Sequence, residues 1–427
     1  MPRRSLQQWL DYQLGVHLRG VDLGLGRVGE VWRRLGAPRP APVVITVAGT
    51  NGKGSTVAFL EAMLAAGGYR VAAYTSPHVL AYNERVRIAG ADADDAALIA
   101  AFERIEAVRG DVPLTYFEFG TLAALLLFAD AALDVAVLEV GLGGRLDAVN
   151  LIDADVAVVT TIALDHQDWL GNDRDSIGRE KAGVARTGRP LIVAETDPPQ
   201  GLLQAAAGHG ARVIRAGVGY AVEPAGEHWH WNGADGTRLT LPVPRLAAAC
   251  QPANAAAAIA ALHALRERLP LPEQAFVRGV AEARARARLQ RIAVGAGELV
   301  IDVAHNPQAA EVLAAWLAAQ PARDTVAVFG ALGDKDAAGM LVPLAPYIAE
   351  WELVDLARAT ERGRDLASLT AALEAALGPA PHRGWADVAA ALDMLLPRLQ
   401  AGARVIAFGS FLIAAAALRW RPRDAAV

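Results

Sequence analysis

The chain has 427 residues, of which 53% are hydrophobic and 20% are charged, and its formal net charge is −5. This composition excludes a disordered protein, and the length predicts two domains. The single cysteine, Cys250, excludes an internal disulfide and a thiolate metal cluster, so we expect a reducing compartment, the cytoplasm. The negative charge argues against nucleic acid as a partner.

The first segment, residues 1–36, predicts helices with a polar interruption at residues 22–27. It predicts no signal peptide, because Arg3 and Arg4 are not followed by an apolar stretch. The longest apolar runs, at residues 119–129 and 408–418, are too short to span a bilayer. We therefore expect no membrane as a partner.

A glycine-rich turn follows the first predicted strand, residues 42–47, and precedes a predicted helix at residues 57–66. Glycines allow backbone N–H groups to approach phosphate oxygens at a helix N-terminus, where the helix dipole favours negative charge. Lys53 would add a positive charge, and Ser55 or Thr56 could bind a phosphate or a metal-bound water. The spacing departs from the common phosphate loop, because Val47 stands where its first glycine would be and Gly54 separates the lysine from Ser55. A tight turn without a ligand is the alternative.

Polar side chains also stand at the ends of three later strands. Ser76 follows the strand at 69–75, Glu139 lies near the end of the strand at 134–140, and His166 follows the strand at 155–162. Parallel strands bring their carboxyl ends to one edge, so a common site is expected. Glu139 would hold Mg²⁺; the alternatives are an ion pair with Arg145 for this carboxylate and ordinary turns for Ser76 and His166.

Other segments are ambiguous by themselves. Tyr116 and Phe117 begin an apolar helix, where they could be core residues or could enclose a flat ring. Lys181, beside Glu180 on a predicted helix, is typical of a solvated charge pair. The histidines at 228 and 230 favour a hairpin over a metal site. The arginines of residues 281–290 favour a solvated helix face.

A second α/β domain is predicted from residue 298, where a strand, a polar edge and a helix follow one another up to residue 307. Further strands are predicted at residues 325–330 and 404–409. The overall expectation is an α/β protein with two domains and no internal repeat.

Taken together, the motifs closely resemble the folylpolyglutamate synthase family. The matching segments are Gly49–Thr56, Ser76–His78, Phe117–Thr121, Glu139–Asp147, Leu164–Gly171 and Gly178–Gly183. The resemblance implies a Mur-ligase-like P-loop nucleotide domain at residues 1–287 and a smaller Rossmann-like glutamate-ligase domain at 288–427. It also implies a monomeric enzyme that uses ATP to join L-glutamate to dihydropteroate and to reduced folyl(poly)glutamates through an acyl phosphate.

The resemblance assigns site residues in three groups. ATP would bind at Thr50, Asn51, Gly52, Lys53, Gly54, Ser55, Asn254, Arg288, Asp302 and His305. One or two Mg²⁺ ions would bind at Ser76, Glu139, His166 and Lys181, the last as a carbamate. The pterin acid would bind at Asp22, Leu23, Gly24, Thr115, Tyr116, Phe117, Glu118, Leu146, Asp147 and Ala148. Lys53, Lys181 and His166 would be the catalytic residues.

The chain departs from the family pattern at two places. The usual Gly-Arg-Phe-Gln is Ala-Arg-Leu-Gln at residues 287–290, and the usual Gly-Ser-Phe-His is Gly-Ser-Phe-Leu at 409–412. Arg362 stands where an arginine on the glutamate side is expected. The alternative functions are a cell-wall Mur ligase and a nucleotide-dependent binding protein without ligase activity; the acidic charge disfavours a nucleic-acid motor.

Overall fold

The computed structural model describes residues 4–17 and 20–421, which form two compact units. The first unit extends to Arg245 and also includes Pro252–Arg284, and the second contains Leu246–Gln251 and the chain from Ala285 onward. This division falls close to the boundary predicted after residue 287. Both units contain a mainly parallel sheet with helices, so the predicted α/β class is confirmed.

The first unit has an eight-stranded sheet in the order β4-β3-β2-β5-β1-β6-β7-β8. Its strands are β1 Val43–Ala48, β2 Val71–Tyr74, β3 Val86–Ile88, β4 Ala91–Asp92, β5 Val135–Glu139, β6 Val156–Val159, β7 Pro190–Val193 and β8 Arg212–Arg215. The strands from β2 to β8 in this order are parallel, and β3 and β4 extend the sheet as antiparallel edge strands.

The first unit also contains helices that pack on its sheets or on one another. They are α1 Leu6–Val16, α2 Gly26–Arg34, α3 Lys53–Ala66, α4 Asp95–Arg109, α5 Tyr116–Asp130, α6 Gln167–Leu170, α7 Arg174–Ala182, α8 Gln200–Gly208, α9 Gln251–Ala264 and α10 Glu273–Glu282, with 3₁₀ turns at Tyr82–Arg85 and Ala148–Leu151. Every residue of β1 and β5 is buried, as expected for strands covered on both faces.

A small antiparallel sheet also belongs to the first unit. It has the order β11-β10-β9, with β9 Tyr220–Ala225, β10 His228–Gly233 and β11 Arg238–Pro242. His228 and His230 lie on the central strand and pair with both neighbours. The hairpin interpretation of these histidines is confirmed.

The second unit has a six-stranded sheet in the order β12-β13-β17-β14-β15-β16, in which only β12 is antiparallel. Its strands are β12 Gln290–Val294, β13 Gly297–Ile301, β14 Thr325–Phe329, β15 Glu350–Val354, β16 His382–Trp385 and β17 Arg404–Phe408. Its helices are α11 Pro307–Ala318, α12 Ala337–Leu341, α13 Leu366–Leu377, α14 Val388–Gln400 and α15 Phe411–Arg419, with a 3₁₀ turn at Val342–Tyr347.

One expectation about secondary structure is wrong. The arginine-rich run does not form a helix face, because α10 ends at Glu282 and residues 283–289 form an irregular connection to β12. Two residues of this connection, Ala287 and Leu289, have positive φ, which a helix cannot contain. As for membranes, no helix in the described ranges has the length and apolar character needed to cross one.

Candidate nucleotide and metal site

Four neighbouring parallel strands end at one edge of the first sheet. The strand β2 leads to Ser76, and β5, beside it, ends at Glu139. The next strand, β1, leads to the turn at residues 49–52, and β6 leads to the segment containing His166. The predicted phosphate turn and the three polar strand ends therefore share the carboxyl edge, where ligands bind in parallel sheets.

Two glycines give the turn its shape. Gly49 has φ 144° and Gly52, just before α3, has φ 89°, both in the region that favours glycine. A Cβ atom on Gly49 would lie 1.8 Å from Thr160 Oγ1, and one on Gly52 would lie 2.6 Å from Asn254 Oδ1. Side chains can therefore pack directly on the turn backbone only because these two positions lack a Cβ atom.

Two threonines that we did not predict hold this turn. The Thr160 hydroxyl donates to the Asn51 carbonyl at 2.6 Å, and the Thr161 hydroxyl oxygen accepts from the Asn51 N–H at 3.0 Å. Thr50 adds a third link, since its hydroxyl oxygen accepts from the Ala163 N–H at 3.1 Å. The available signal was that two hydroxyl residues directly follow β6, at the same edge as the turn.

The ammonium groups of two lysines meet at one backbone carbonyl. Lys53 Nζ donates to the Gly49 and Thr50 oxygens at 3.0 Å each, and Lys181 Nζ donates to the Gly49 oxygen at 2.9 Å. Lys181 is only 4% exposed. Burial, followed by the nearby charge of Lys53, lowers the pKa of Lys181 from 10.5 to about 7.

The interpretation of Glu180 and Lys181 as a solvated pair is wrong. Glu180 forms its ion pair with Arg145 at 2.8 Å, whereas Lys181 points to the phosphate turn. The alternative ion pair of Glu139 with Arg145 is also wrong, because the guanidinium of Arg145 is used by Glu180. Adjacent residues on α7 thus face different surroundings.

The glycine-rich segment after β5 fixes the position of Lys181. A Cβ atom on Gly144 would lie 2.8 Å from the Glu180 oxygen and 3.0 Å from Lys181 Cα, so the two backbones are in close contact. The Asp147 carboxylate accepts hydrogen bonds from the N–H groups of Gly141, Leu142 and Val149 at 2.8 to 3.1 Å. Burial raises the pKa of Asp147 to about 6, and these N–H groups oppose the rise. Asp147, predicted to bind the pterin acid, therefore also stabilises the backbone of residues 141–149.

The predicted metal ligands occupy neighbouring strand ends. The Ser76 N–H donates to Glu139 Oε2 at 3.3 Å, and Glu139 is buried at the end of β5 opposite Val47. His166 precedes α6 with φ 52°, and its N–H donates to the Asp165 carboxylate at 2.9 Å. Within residues 4–17 and 20–421, no group of three or more His, Cys, Asp or Glu side chains could hold a metal ion. The predicted set has two such side chains, with a hydroxyl and a lysine.

The three segments predicted to bind the pterin acid lie together. The Gly24 N–H donates to the Leu146 carbonyl at 3.1 Å. Arg27, which we did not predict, joins Asp22 at 2.7 Å and Glu118 at 3.3 Å. Its only signal in the sequence was a basic residue five positions after an acidic one.

The start of α5 combines a helix cap with aromatic packing. Thr115 and Glu118 form a reciprocal capping box, with hydrogen bonds of 2.7 and 3.2 Å. The ring of Phe117 lies 5.9 Å from that of Tyr74, and the ring of Tyr116 lies 5.8 Å from that of Tyr82. Tyr116 and Phe117 are half-buried and Thr115 and Glu118 are buried, so the aromatic pair packs partly into the core, and its enclosure of a flat ring stays a prediction.

In the second unit, Asp302 and His305 follow β13. The two carboxylate oxygens of Asp302 accept from the N–H groups of Leu289 and Ala304 at 2.8 and 2.7 Å, and burial raises the pKa of this carboxyl. His305 Nδ1 lies 2.8 Å from the Val303 oxygen, so the other ring nitrogen points away from that carbonyl. The nearby charge of Arg288 opposes this rise in the pKa of Asp302 and completes the group.

Comparison with known proteins decides the family. Residues 47–262 match the Mur ligase middle domain, and residues 287–411 match the Mur ligase glutamate ligase domain. The dihydrofolate synthase/folylpolyglutamate synthase of Escherichia coli K12 is 50% identical over 347 residues, which cover 81% of this chain and 81% of that protein. This chain belongs to the dihydrofolate synthase/folylpolyglutamate synthase family.

Solved structures agree with this assignment. E. coli FolC in complex with DHPP and ADP has a TM-score of 0.91 and 44% identity, over 98% of both chains. A bifunctional folylpolyglutamate synthase/dihydrofolate synthase with Mn, AMPPNP and L-glutamate bound has a TM-score of 0.88 and 44% identity, over 97% of both chains. The predicted Mur-ligase-like fold is confirmed.

This member of the dihydrofolate synthase/folylpolyglutamate synthase family lacks the usual histidine after its last strand. Leu412 takes its place on α15 and is 39% exposed. Ser410 of the same motif caps α15, accepting from the Ile413 N–H at 3.2 Å. Arg362, expected on the glutamate side, forms an exposed ion pair with Asp334 at 2.9 Å.

Proposed function

We propose that this protein uses ATP to join L-glutamate to dihydropteroate and to reduced folyl(poly)glutamates. The observation that carries the proposal is the relationship to the E. coli dihydrofolate synthase/folylpolyglutamate synthase, which extends over four-fifths of both chains. The relatives solved with DHPP, ADP, AMPPNP and L-glutamate supply the expected ligand classes. The phosphate turn, with two lysines at one carbonyl, supplies a matching place for a triphosphate.

The chemistry begins with a poor leaving group. A carboxylate does not accept an amine at neutral pH until its oxygen is converted into a better leaving group. In the proposed reaction the pterin-acid carboxylate oxygen attacks the γ-phosphorus of ATP, and the bond to the β–γ bridging oxygen breaks to release ADP. The neutral amine of glutamate then attacks the acyl carbon, the bond to the phosphate breaks, and the amine loses a proton as the amide forms.

The proposed nucleotide contacts are the turn at residues 50–55, Asn254, Arg288, Asp302 and His305. Lys53 would transfer its hydrogen bonds from the two turn carbonyls to phosphate oxygens, and its charge would stabilise the phosphoryl group in transfer. Because the chain as a whole is negatively charged, attraction of ATP must come from such local groups.

The residues at the metal site fit Mg²⁺. The Glu139 carboxylate and Ser76 hydroxyl are oxygen donors, which this ion prefers, and one or two carboxylates plus phosphate oxygens are its usual protein ligands. His166 would complete the set. When bound, Mg²⁺ neutralises charge on the β- and γ-phosphates; the protein's part is to hold Glu139 beside Ser76 at the strand ends.

Lys181 would complete the metal set as a carbamate. Lysine occurs only at positions 53, 181 and 335 in this arginine-rich chain, and a buried lysine, unlike an arginine, can lose its proton near neutral pH. The lowered pKa of Lys181, with burial as its main cause, provides the neutral amine that carbon dioxide requires. A carbamate oxygen is also a suitable ligand for Mg²⁺.

The proposed pterin-acid site consists of residues 22–24, 115–118 and 146–148. Arg27 supports its shape by holding Asp22 to the buried Glu118. The single cysteine supports a cytoplasmic location, and we propose a monomer.

The test is to incubate the protein with ATP, Mg²⁺, L-glutamate and each pterin acid in turn, and to weigh the products. We expect a mass gain of one glutamate residue and equal amounts of ADP and phosphate. Activity only with UDP-sugar peptides would instead identify a cell-wall ligase. ATP binding without glutamate-dependent phosphate release would identify a binding protein.

A further inference from the structure

Arg288 lies between two residues with left-handed backbone conformations. Ala287 has φ 52° and Leu289 has φ 48°, and both are buried. Such values are uncommon for residues other than glycine, and they persist only where the surroundings impose them. Among the non-glycine residues with positive φ in the described chain, only these two flank a single residue.

Three hydrogen bonds impose this backbone shape. The Ala287 N–H donates to Gln290 Oε1 at 3.1 Å, and the Ala287 carbonyl accepts from the Val303 N–H at 3.0 Å. On the other side of Arg288, the Leu289 N–H donates to Asp302 Oδ2 at 2.8 Å. The turn is therefore held on both sides of the arginine.

Gln290 contributes one of these bonds from a fixed position. It is the first residue of β12 and pairs with Ile301 of β13, so its backbone is fixed by the sheet while its side chain reaches back to Ala287. Without this acceptor, the N–H of the buried Ala287 would lose its partner, and buried donors that lose their acceptor are costly. The alanine would then favour a different backbone conformation.

We propose that Gln290 is a positioning residue for Arg288. Its side-chain carbonyl fixes the left-handed turn that directs the guanidinium to the nucleotide, and Asp302 holds the opposite side of the same turn. The inference rests on the proposed function, in which Arg288 contacts the ATP phosphates. In this chain the same turn is held with an alanine at the position at which the family usually has glycine.

The primary variant is Gln290→Met, which keeps the side-chain length and removes the acceptor. We expect about a tenfold rise in the dissociation constant for AMPPNP and in the KM for ATP, the size of effect expected from one buried hydrogen bond. The KM for glutamate should change less than twofold. Gln290→Glu, which retains an oxygen acceptor, should stay within about threefold of wild type. The matched control is Gln320→Met, which removes another side-chain hydrogen bond to backbone in the same unit.

A second substitution that restores nucleotide affinity would show that Gln290→Met acts through the position of Arg288 and not through general damage to the fold. Glycine adopts the left-handed conformation readily, so Ala287→Gly combined with Gln290→Met should recover most of the lost AMPPNP affinity. If Gln290→Met lowers the thermal midpoint but leaves nucleotide affinity unchanged, or if the double variant shows no recovery, the inference is overturned.

The Arg288→Met variant distinguishes this inference from the proposed function. If Arg288→Met weakens AMPPNP binding and Gln290→Met does not, only the positioning role fails. If Arg288→Met itself leaves AMPPNP binding and phosphate release unchanged, the proposed role of Arg288 fails and the inference fails with it.

Discussion

Replacement of Lys181 with methionine should change the pH dependence of stability in a defined way. The pKa of Lys181 is lowered to about 7 in the folded protein, against 10.5 for an ordinary lysine. Between these two pH values the unfolded chain binds a proton that the folded protein does not. The free energy of unfolding of the wild type therefore rises with pH across this interval, by about 1.4 kcal/mol per pH unit from this group.

The size of the effect follows from the same shift. Below pH 7 both states carry the proton and the folded state bears the full cost, with an upper limit of roughly 5 kcal/mol, and at pH 7 it bears nearly all of it. Methionine removes this cost but also loses the hydrogen bond to the Gly49 carbonyl, worth about 1 kcal/mol. Lys181→Met should thus be more stable than the wild type by up to about 4 kcal/mol at pH 7, and the difference should shrink towards pH 10.

Hydrogen exchange of the β1 and β5 amides measures the opening of the sheet that surrounds Lys181. Wild type and variant are compared at matched pH values between 6.5 and 9.5, in buffer depleted of carbon dioxide and divalent metal. Lys335→Met, at a buried lysine in the other unit, controls for the general effect of replacing lysine. If the difference in the free energy of opening between wild type and Lys181→Met stays constant over this pH range, the burial cost assigned to Lys181 is refuted.

Three other predictions follow from the first unit. Gly49→Ala should weaken AMPPNP binding by at least tenfold, because the new Cβ atom would overlap the Thr160 hydroxyl; unchanged affinity in a calorimetric titration would contradict the described turn. Gly29→Ala should raise the free energy of unfolding by about 0.5–1 kcal/mol, because α2 continues through this position and the nearest atom would be 3.5 Å from the new Cβ; urea denaturation tests this. Arg27→Met should raise the KM for dihydropteroate by about tenfold by leaving the buried Glu118 without its cation, while the KM for ATP stays unchanged; equal changes in both would indicate general damage.

The sequence predicted those parts of the fold and site that depend on local patterns. β-Branched runs mark the buried parallel strands, and polar residues after them mark the edge at which Ser76, Glu139 and His166 lie. Local patterns could not show whether Lys181 is exposed or buried, because Glu180 and Lys181 are adjacent charged residues on the same predicted helix. The burial of Lys181 depends on Gly144, distant in sequence, which allows the segment after β5 to contact α7.

Residues that support a site from another segment leave even less local signal. Thr160 and Gln290 each bind a backbone group in a loop, and Arg27 joins two acidic residues that are far apart in the sequence. Their partners are set by tertiary structure, so neither periodicity nor spacing identifies them. The resemblance to the family predicted the residues proposed to contact ligands, whereas the structure was needed to find the residues that hold them.

The two lysines at the Gly49 carbonyl connect stability with the proposed chemistry. As ammonium groups they repel each other in a buried place, and this repulsion adds to the burial that lowers the pKa of Lys181. The neutral amine that results is the form that reacts with carbon dioxide. Carbamylation would convert this neutral amine into an anion with release of one proton, so that Lys53, which repels the ammonium form, would attract the product. The same change would draw Mg²⁺ to the strand ends, so we expect carbon dioxide and Mg²⁺ each to increase the affinity for the other. Titration of the wild type with Mg²⁺ at fixed bicarbonate concentrations measures this coupling, and Lys181→Met should abolish it.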